Sequence, residues 1–239
     1  KNRGRVEEYQ RHRPDIIVGG TGYDYMIKLP PEIDSMQPKI NYGFTTRGCI
    51  RKCAFCFVPA SEGAIRPTGD IYDIWDGKAR EIELLDNNIM ALPEHFETIC
   101  KQAMQLKIKI DFNQGLDYRF LTSLFIYLLK RVTVAEPYFA FDNPAEFRAV
   151  DKAITLLQQN GMKRTVWFVL VGFDTTLKQD LERLNHLKER GQRAYVMRYS
   201  RDRKYIPLAR WANQRNMFAG TTFEQFCKQE GYAETGLGK

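Results

Sequence analysis

The stretch Tyr42-Gly43-Phe44-Thr45-Thr46, followed after Arg47 by Gly48-Cys49-Ile50-Arg51-Lys52-Cys53-Ala54-Phe55-Cys56-Phe57-Val58-Pro59, decides how the chain is read. An apolar run that hands over to a glycine and three cysteines reads as a strand delivering a loop of ligands. The three thiols fall within eight residues, at intervals of three and then two residues, so one loop can fold its sulfurs around a single centre. Between them, Arg51 and Lys52 would help to stabilise thiolates.

Outward from this loop the chain alternates strand and helix. Ile82-Glu83-Leu84-Leu85 reads as a second strand ending in Asp86-Asn87-Asn88, with a helix from about Pro93 to Leu106. Ile108–Phe112 makes a third, ending in Asn113-Gln114-Gly115-Leu116-Asp117-Tyr118-Arg119, before an apolar helix at Leu121 to Leu129. Tyr138–Phe141 is the fourth, ending in Asp142-Asn143-Pro144, and Glu146 to Gln159 has helical periodicity closed by Gly161. Val166–Val171 is the fifth, ending in Gly172-Phe173-Asp174, with a helix from Leu177 to Arg190 closed by Gly191. Ala194–Met197 is the sixth, ending in Arg198-Tyr199-Ser200. Strands separated by helices imply an α/β fold with a parallel sheet and right-handed crossovers.

Metal ligation is the leading reading of the cysteine loop. Structural zinc takes four protein ligands, but Cys100 and Cys227 stand alone and no histidine lies in the loop. A cubane iron–sulfur cluster normally takes four thiolates; given three, it keeps one iron open to a small molecule. A zinc loop completed from elsewhere and a cysteine-rich turn without a ligand stand as alternatives.

With Cys49, Cys53 and Cys56 in CxxxCxxC order and Phe55 just before the last cysteine, the loop resembles that of the radical S-adenosylmethionine superfamily. The resemblance covers about Ile40 to Ser200. It implies a [4Fe-4S] cluster held by the three cysteines, with its open iron chelating S-adenosylmethionine. It further implies reductive cleavage of that cofactor, hydrogen abstraction from a substrate, and an electron donor such as flavodoxin or ferredoxin. Six strand–helix units suit the family's partial (β/α)6 TIM-like barrel better than an eightfold one. By the same resemblance, residues 1–39 look like the tail of a Rossmann-like domain and a linker, like the domain that precedes the barrel in cobalamin-associated members. Arg5 to Arg13 reads as a polar helix end, and Pro14–Tyr23 as a buried strand running into a glycine turn, with Gly19-Gly20-Thr21-Gly22 a tight turn. The family's DxHxxG pattern is absent around His12, His95 and His186, so cobalamin is not expected.

In a parallel barrel the site is built at the C-terminal ends of the strands, where these polar clusters fall. Asp86, Asn87 and Asn88 occupy the place of the family's Gly-Gly-Glu-like segment and are expected at the methionine amino group. Asp142 resembles the ribose contact, Gly172 the fifth-strand motif against adenine, and Arg198 a partner for the methionine carboxylate. Phe55 is expected against adenine. Asn113, Gln114, Asp117, Arg119, Glu62 and Arg66 offer polar groups to an unknown substrate.

The chain has 239 residues, 44% hydrophobic and 13% aromatic, enough for one substantial core. Its formal charge of +7 admits an anionic substrate or nucleic acid as partner. The segment from 201 to 239 interleaves Arg201, Arg203, Lys204, Arg210 and Arg215 with Tyr205, Trp211 and Phe218. Such a mixture can grip a phosphate backbone, or its aromatics can cover the open side of the barrel. A non-catalytic iron–sulfur or zinc adaptor for nucleic acid is therefore the competing function. Five cysteines with three in one loop do not make a disulfide framework, which suits a reducing cytoplasm. No apolar run approaches membrane-spanning length, and neither a membrane partner nor a secretory signal is expected.

Overall fold

A computed structural model describes residues 5–15, 30, 32 and 39–232. The expected strand and glycine turn between Ile16 and Gly22 lie outside the described residues, as does most of the linker. Within 5–15 a short helix, α1, spans Val6–His12.

All six expected strands are present. Strands β1 (Tyr42–Gly43), β4 (Glu81–Leu84) and β5 (Lys109–Phe112) pair in parallel, in that order. Strands β6 (Tyr138–Ala140), β7 (Val166–Val171) and β8 (Arg193–Arg198) form a second parallel set. A parallel bridge from Leu116 to Phe139 joins the sets between β5 and β6. The strands therefore succeed one another in chain order, as repeated strand–helix–strand units require.

Helices α4 (Pro93–Leu106), α5 (Ser123–Val132), α6 (Phe147–Gln159) and α7 (Leu177–Glu189) make the crossovers. Their ends follow local chemistry. Pro93 opens α4, where a missing N–H costs nothing. Thr122 caps α5, which is why that helix starts two residues later than its apolar run. A capping box of Thr176 and Gln179 opens α7. From β4 to β7 every second strand residue, among them Ile82, Leu84, Ile110, Phe112, Phe139 and Trp167, is buried in the core.

The first strand is shorter than its apolar run. Asp86 accepts hydrogen bonds from the backbone N–H groups of Thr45 and Thr46, which removes those donors from the sheet and turns the chain. Thr46–Arg47 then forms β2, antiparallel to β3 at Arg66–Pro67, and this ribbon brackets the cysteine loop and helix α2 (Val58–Glu62). Helix α3 (Ile71–Ile74) leads back to β4.

The segment after Ser200 forms α8 (Tyr205–Asn213), α9 (Arg215–Gly220) and α10 (Phe223–Gln229). Trp211, Phe218, Phe223 and Phe226 are buried in the same core as the strands, so the aromatics of the basic segment are packing groups. Asn213 closes the edge of β8: its Oδ1 accepts from Val196 N at 2.6 Å and its Nδ2 donates to Val196 O.

Candidate functional site

The C-terminal ends of the parallel strands surround a cavity of about 630 Å³. Cys49, Cys53 and Cys56 line it together with Asn87 and Asn88 after β4, Asp117 and Arg119 after β5, Asp142 after β6, and Phe173 to Thr175 after β7. Three cysteines adjacent in sequence and four strand ends distant in sequence thus share one wall.

Two carboxylates fix the loop to the sheet. Glu62 Oε2 accepts from Gly48 N at 2.8 Å and from Asn87 Nδ2 at 3.3 Å, and pairs with Arg47. Asp117 Oδ2 accepts from Arg51 Nε at 2.9 Å and from Asn88 Nδ2 at 3.1 Å, while its Oδ1 accepts from Arg119 N and Nη1. Burial opposes ionisation of Asp117, but the bonds from Arg51, Arg119 and Asn88 outweigh it and hold the carboxyl below the usual range. Arg119 also pairs with Glu146, so a charged chain runs from Arg51 of the cysteine loop across the ends of β5 and β6.

These contacts revise the expected role of the loop's cations. Arg51 is held by Asp117, and Lys52 points to solvent. The Cys53 thiol is pushed up, first by burial and then by Cys56, Asp142 and Cys49; Arg119 is the cation that opposes the rise. Cys49 Sγ accepts from Arg51 N at 3.3 Å and lies 3.8 Å from Asn88 Nδ2. Cys100 and Cys227 are buried in the core, and neither lines the cavity.

Asp86 is a correction. It is 4% exposed and does not line the cavity, and its carboxylate is saturated by the N–H and hydroxyl groups of Thr45 and Thr46. Burial outweighs those four bonds and raises its pKa. Its function is to turn the chain into the cysteine loop. Arg198 is a second correction: it is exposed and away from the cavity, because alternation along β8 turns Met197 to that wall instead. Gly172 is a third. It does not line the cavity; its φ of +77° and the Tyr205 ring, 2.7 Å from where a Cβ would stand, require a residue without a side chain.

Other expected residues do meet at the cavity. Phe55 lines it, edge-on to Phe173 with ring centroids 5.5 Å apart. Asn87 and Asn88 line it, as do Gln114, Asp117 and Arg119. Asp142 lines it with Oδ1 accepting from Leu170 N at 3.1 Å, and burial pushes its carboxyl up to about 6. Asn113 sits apart on the sheet, bonded to Glu83, and Arg66 holds the carbonyl of Glu62.

Three buried oxygens of cavity-lining residues have no partner: Asn88 Oδ1, Tyr118 OH and Thr175 Oγ1. Unsatisfied buried oxygens grouped at one cavity mark places where a ligand would complete the bonding. Among the described residues no three His, Cys, Asp or Glu side chains form a group that could hold a metal ion. A cubane cluster binds each thiolate through a different iron, so its ligands ring the cluster instead of meeting at a point. Three thiols around an open cavity fit such a group. Also among the described residues, no helix is long and apolar enough to cross a membrane. No family model matches the chain, and no curated protein does.

Proposed function

We propose that the chain is a radical S-adenosylmethionine enzyme whose six consecutive parallel strands form a partial (β/α)6 barrel. The observation that carries this is the meeting of the CxxxCxxC thiols with the polar ends of successive strands at one cavity. Cys49, Cys53 and Cys56 would hold a [4Fe-4S] cluster. With an electron from a donor such as a flavodoxin or ferredoxin, that cluster would supply reductive cleavage of the sulfonium of S-adenosylmethionine to methionine and a 5′-deoxyadenosyl radical, which would take a hydrogen atom from substrate.

The chain's own residues bind and shield. Asn88 Oδ1, buried and without a partner, would accept the methionine ammonium hydrogens, the role first expected of Asp86. Asp142, at the end of β6, would accept from the ribose hydroxyls. Phe55, backed by Phe173, offers a ring edge to adenine. Phe55, Phe57, Val58 and Phe168 make apolar wall that keeps water from a reactive radical. Asp117 and Glu62 hold the cysteine loop against the sheet and so keep its thiols at the cavity.

The adaptor reading loses its stacking platform, since Trp211, Phe218 and Tyr205 are buried. Anaerobic reconstitution with iron and sulfide tests the assignment. We expect about four irons per chain, lost on replacing any one of Cys49, Cys53 or Cys56 with Ala and kept in Cys100→Ala. Equal loss in Cys100→Ala, or zinc retained in place of iron, would reject it.

A further inference from the structure

The helices and the core lie on one face of the parallel strands, and the opposite face has a composition of its own. Helix-facing residues Ile82, Ile110, Phe139, Trp167 and Val196 belong to the core, so their neighbours in the strands look the other way. Across that second face Tyr42, Glu83 and Asp111 stand in register on β1, β4 and β5, with Glu81 beside them. Among the described residues no Lys or Arg pairs with Glu81, Glu83 or Asp111. Lys109 on the same face gives its ammonium to the Arg131 carbonyl, and Arg193 is paired with Glu136.

Like charges directly opposite on neighbouring strands destabilise a sheet. Here burial, then Glu83 and Glu81, raise the Asp111 pKa, as expected of crowded carboxylates lacking a cation. The chain carries a formal +7 overall, so this face is acidic against the protein's general charge.

On the other half of the face the side chains are aromatic. Tyr138 and Phe168 stack with centroids 5.0 Å apart, and Tyr195 meets Phe168 edge-on at 5.8 Å while remaining 46% exposed. Met197, 37% exposed, and Phe168 reach the cavity itself, where Tyr118, 4% exposed, carries a hydroxyl oxygen without a partner. From β4 to β8 the face spans about 19 Å at ordinary strand spacing, the length of about six extended residues.

We propose that this face receives a cationic polypeptide segment as substrate, with Glu81, Glu83 and Asp111 pairing its Lys or Arg side chains. Tyr138, Phe168 and Tyr195 stack on its aromatic or guanidinium groups, and the segment leads one residue into the cavity. The inference rests on the enzymatic reading of that cavity. An RNA strand would find the same stacking rings, but its phosphates would meet Glu83 and Asp111, two carboxylates directly opposite each other with no cation paired to either.

The test is a binding measurement that needs neither cluster nor turnover, so its failure is distinct from failure to load iron. Fluorescence anisotropy follows fluorescein-labelled peptides of alternating Arg and Tyr, or Glu and Tyr, and an oligouridylate of similar length. We expect the Arg-Tyr peptide to bind at least about tenfold more tightly than either anion. The double variant Glu83→Gln/Asp111→Asn should lose about tenfold of that affinity and melt at a higher temperature, because repulsion is relieved. Tyr195→Ala, at an exposed position, should lose about threefold to tenfold. Equal binding of the acidic peptide, tighter binding of the oligouridylate, or an Arg-Tyr affinity indifferent to the double variant would overturn the proposal.

Discussion

Asp86 and Asp117 stand at the ends of adjacent strands, both buried, both with their oxygens fully engaged, and they do different work. Asp86 is bonded only by neutral donors from Thr45 and Thr46, and burial wins: its pKa is raised. Asp117 is bonded by two guanidinium groups and an amide, and the cations win: its pKa is lowered. Donor charge, more than the number of bonds, decides the direction in which each carboxyl is shifted. One is therefore built into the fold as a chain-turning acceptor, while the other is a charged clasp on the cysteine loop.

Removing the first should cost most. Asp86→Ala strands the N–H groups of Thr45 and Thr46 in a fully buried site, and we expect a loss of about 4 kcal/mol in urea unfolding. Asp86→Asn, which restores one acceptor oxygen, should recover about half of that. Equal stability of Asp86→Ala and the native chain would break the distinction between the two sites.

Asp117→Asn should cost less, about 2 kcal/mol, because Arg51 and Arg119 are each 35% exposed and can turn to solvent. Its larger effect should be on iron content after reconstitution, since the cysteine loop loses its clasp to the end of β5. Native iron content in this variant would show that the clasp does not position the thiols.

The pH responses should have opposite signs. With its pKa lowered, Asp117 adds stability above the ordinary carboxyl range, and this is lost as pH falls through its folded value. Asp142, raised to about 6, binds its proton more tightly folded than unfolded, so it lowers stability as pH rises from about 4 to about 6. Asp142→Asn should flatten that descent by about 1–2 kcal/mol in unfolding curves taken across the window. A variant whose descent matches the native one would place the titration elsewhere.

The strand–helix alternation was legible because each apolar run is bounded by local signals, such as Gly161 and Gly191 at φ of +78° and +68° after their helices. The spacing of the cysteines and the strand before them were enough to expect all three thiols at the strand ends, where they line the cavity. Asp86 was misread because its role depends on Thr45 and Thr46, about forty residues earlier, and no local pattern links them. Arg198 could have been read correctly: Val196 two residues earlier belongs to the core face, so alternation sends Met197 to the cavity. The Arg51–Asp117 clasp had no sequence signal, as it joins residues 66 positions apart. Likewise the buried aromatics of the basic segment could be told from a nucleic-acid platform only by what they pack against.

The most direct measurement is formation of 5′-deoxyadenosine. The chain is reconstituted anaerobically with iron and sulfide, then given dithionite and S-adenosylmethionine, and the product is followed by chromatography beside Cys53→Ala. We expect 5′-deoxyadenosine from the native chain and none from the variant. Tight zinc binding in place of iron, with no 5′-deoxyadenosine, would contradict the radical assignment.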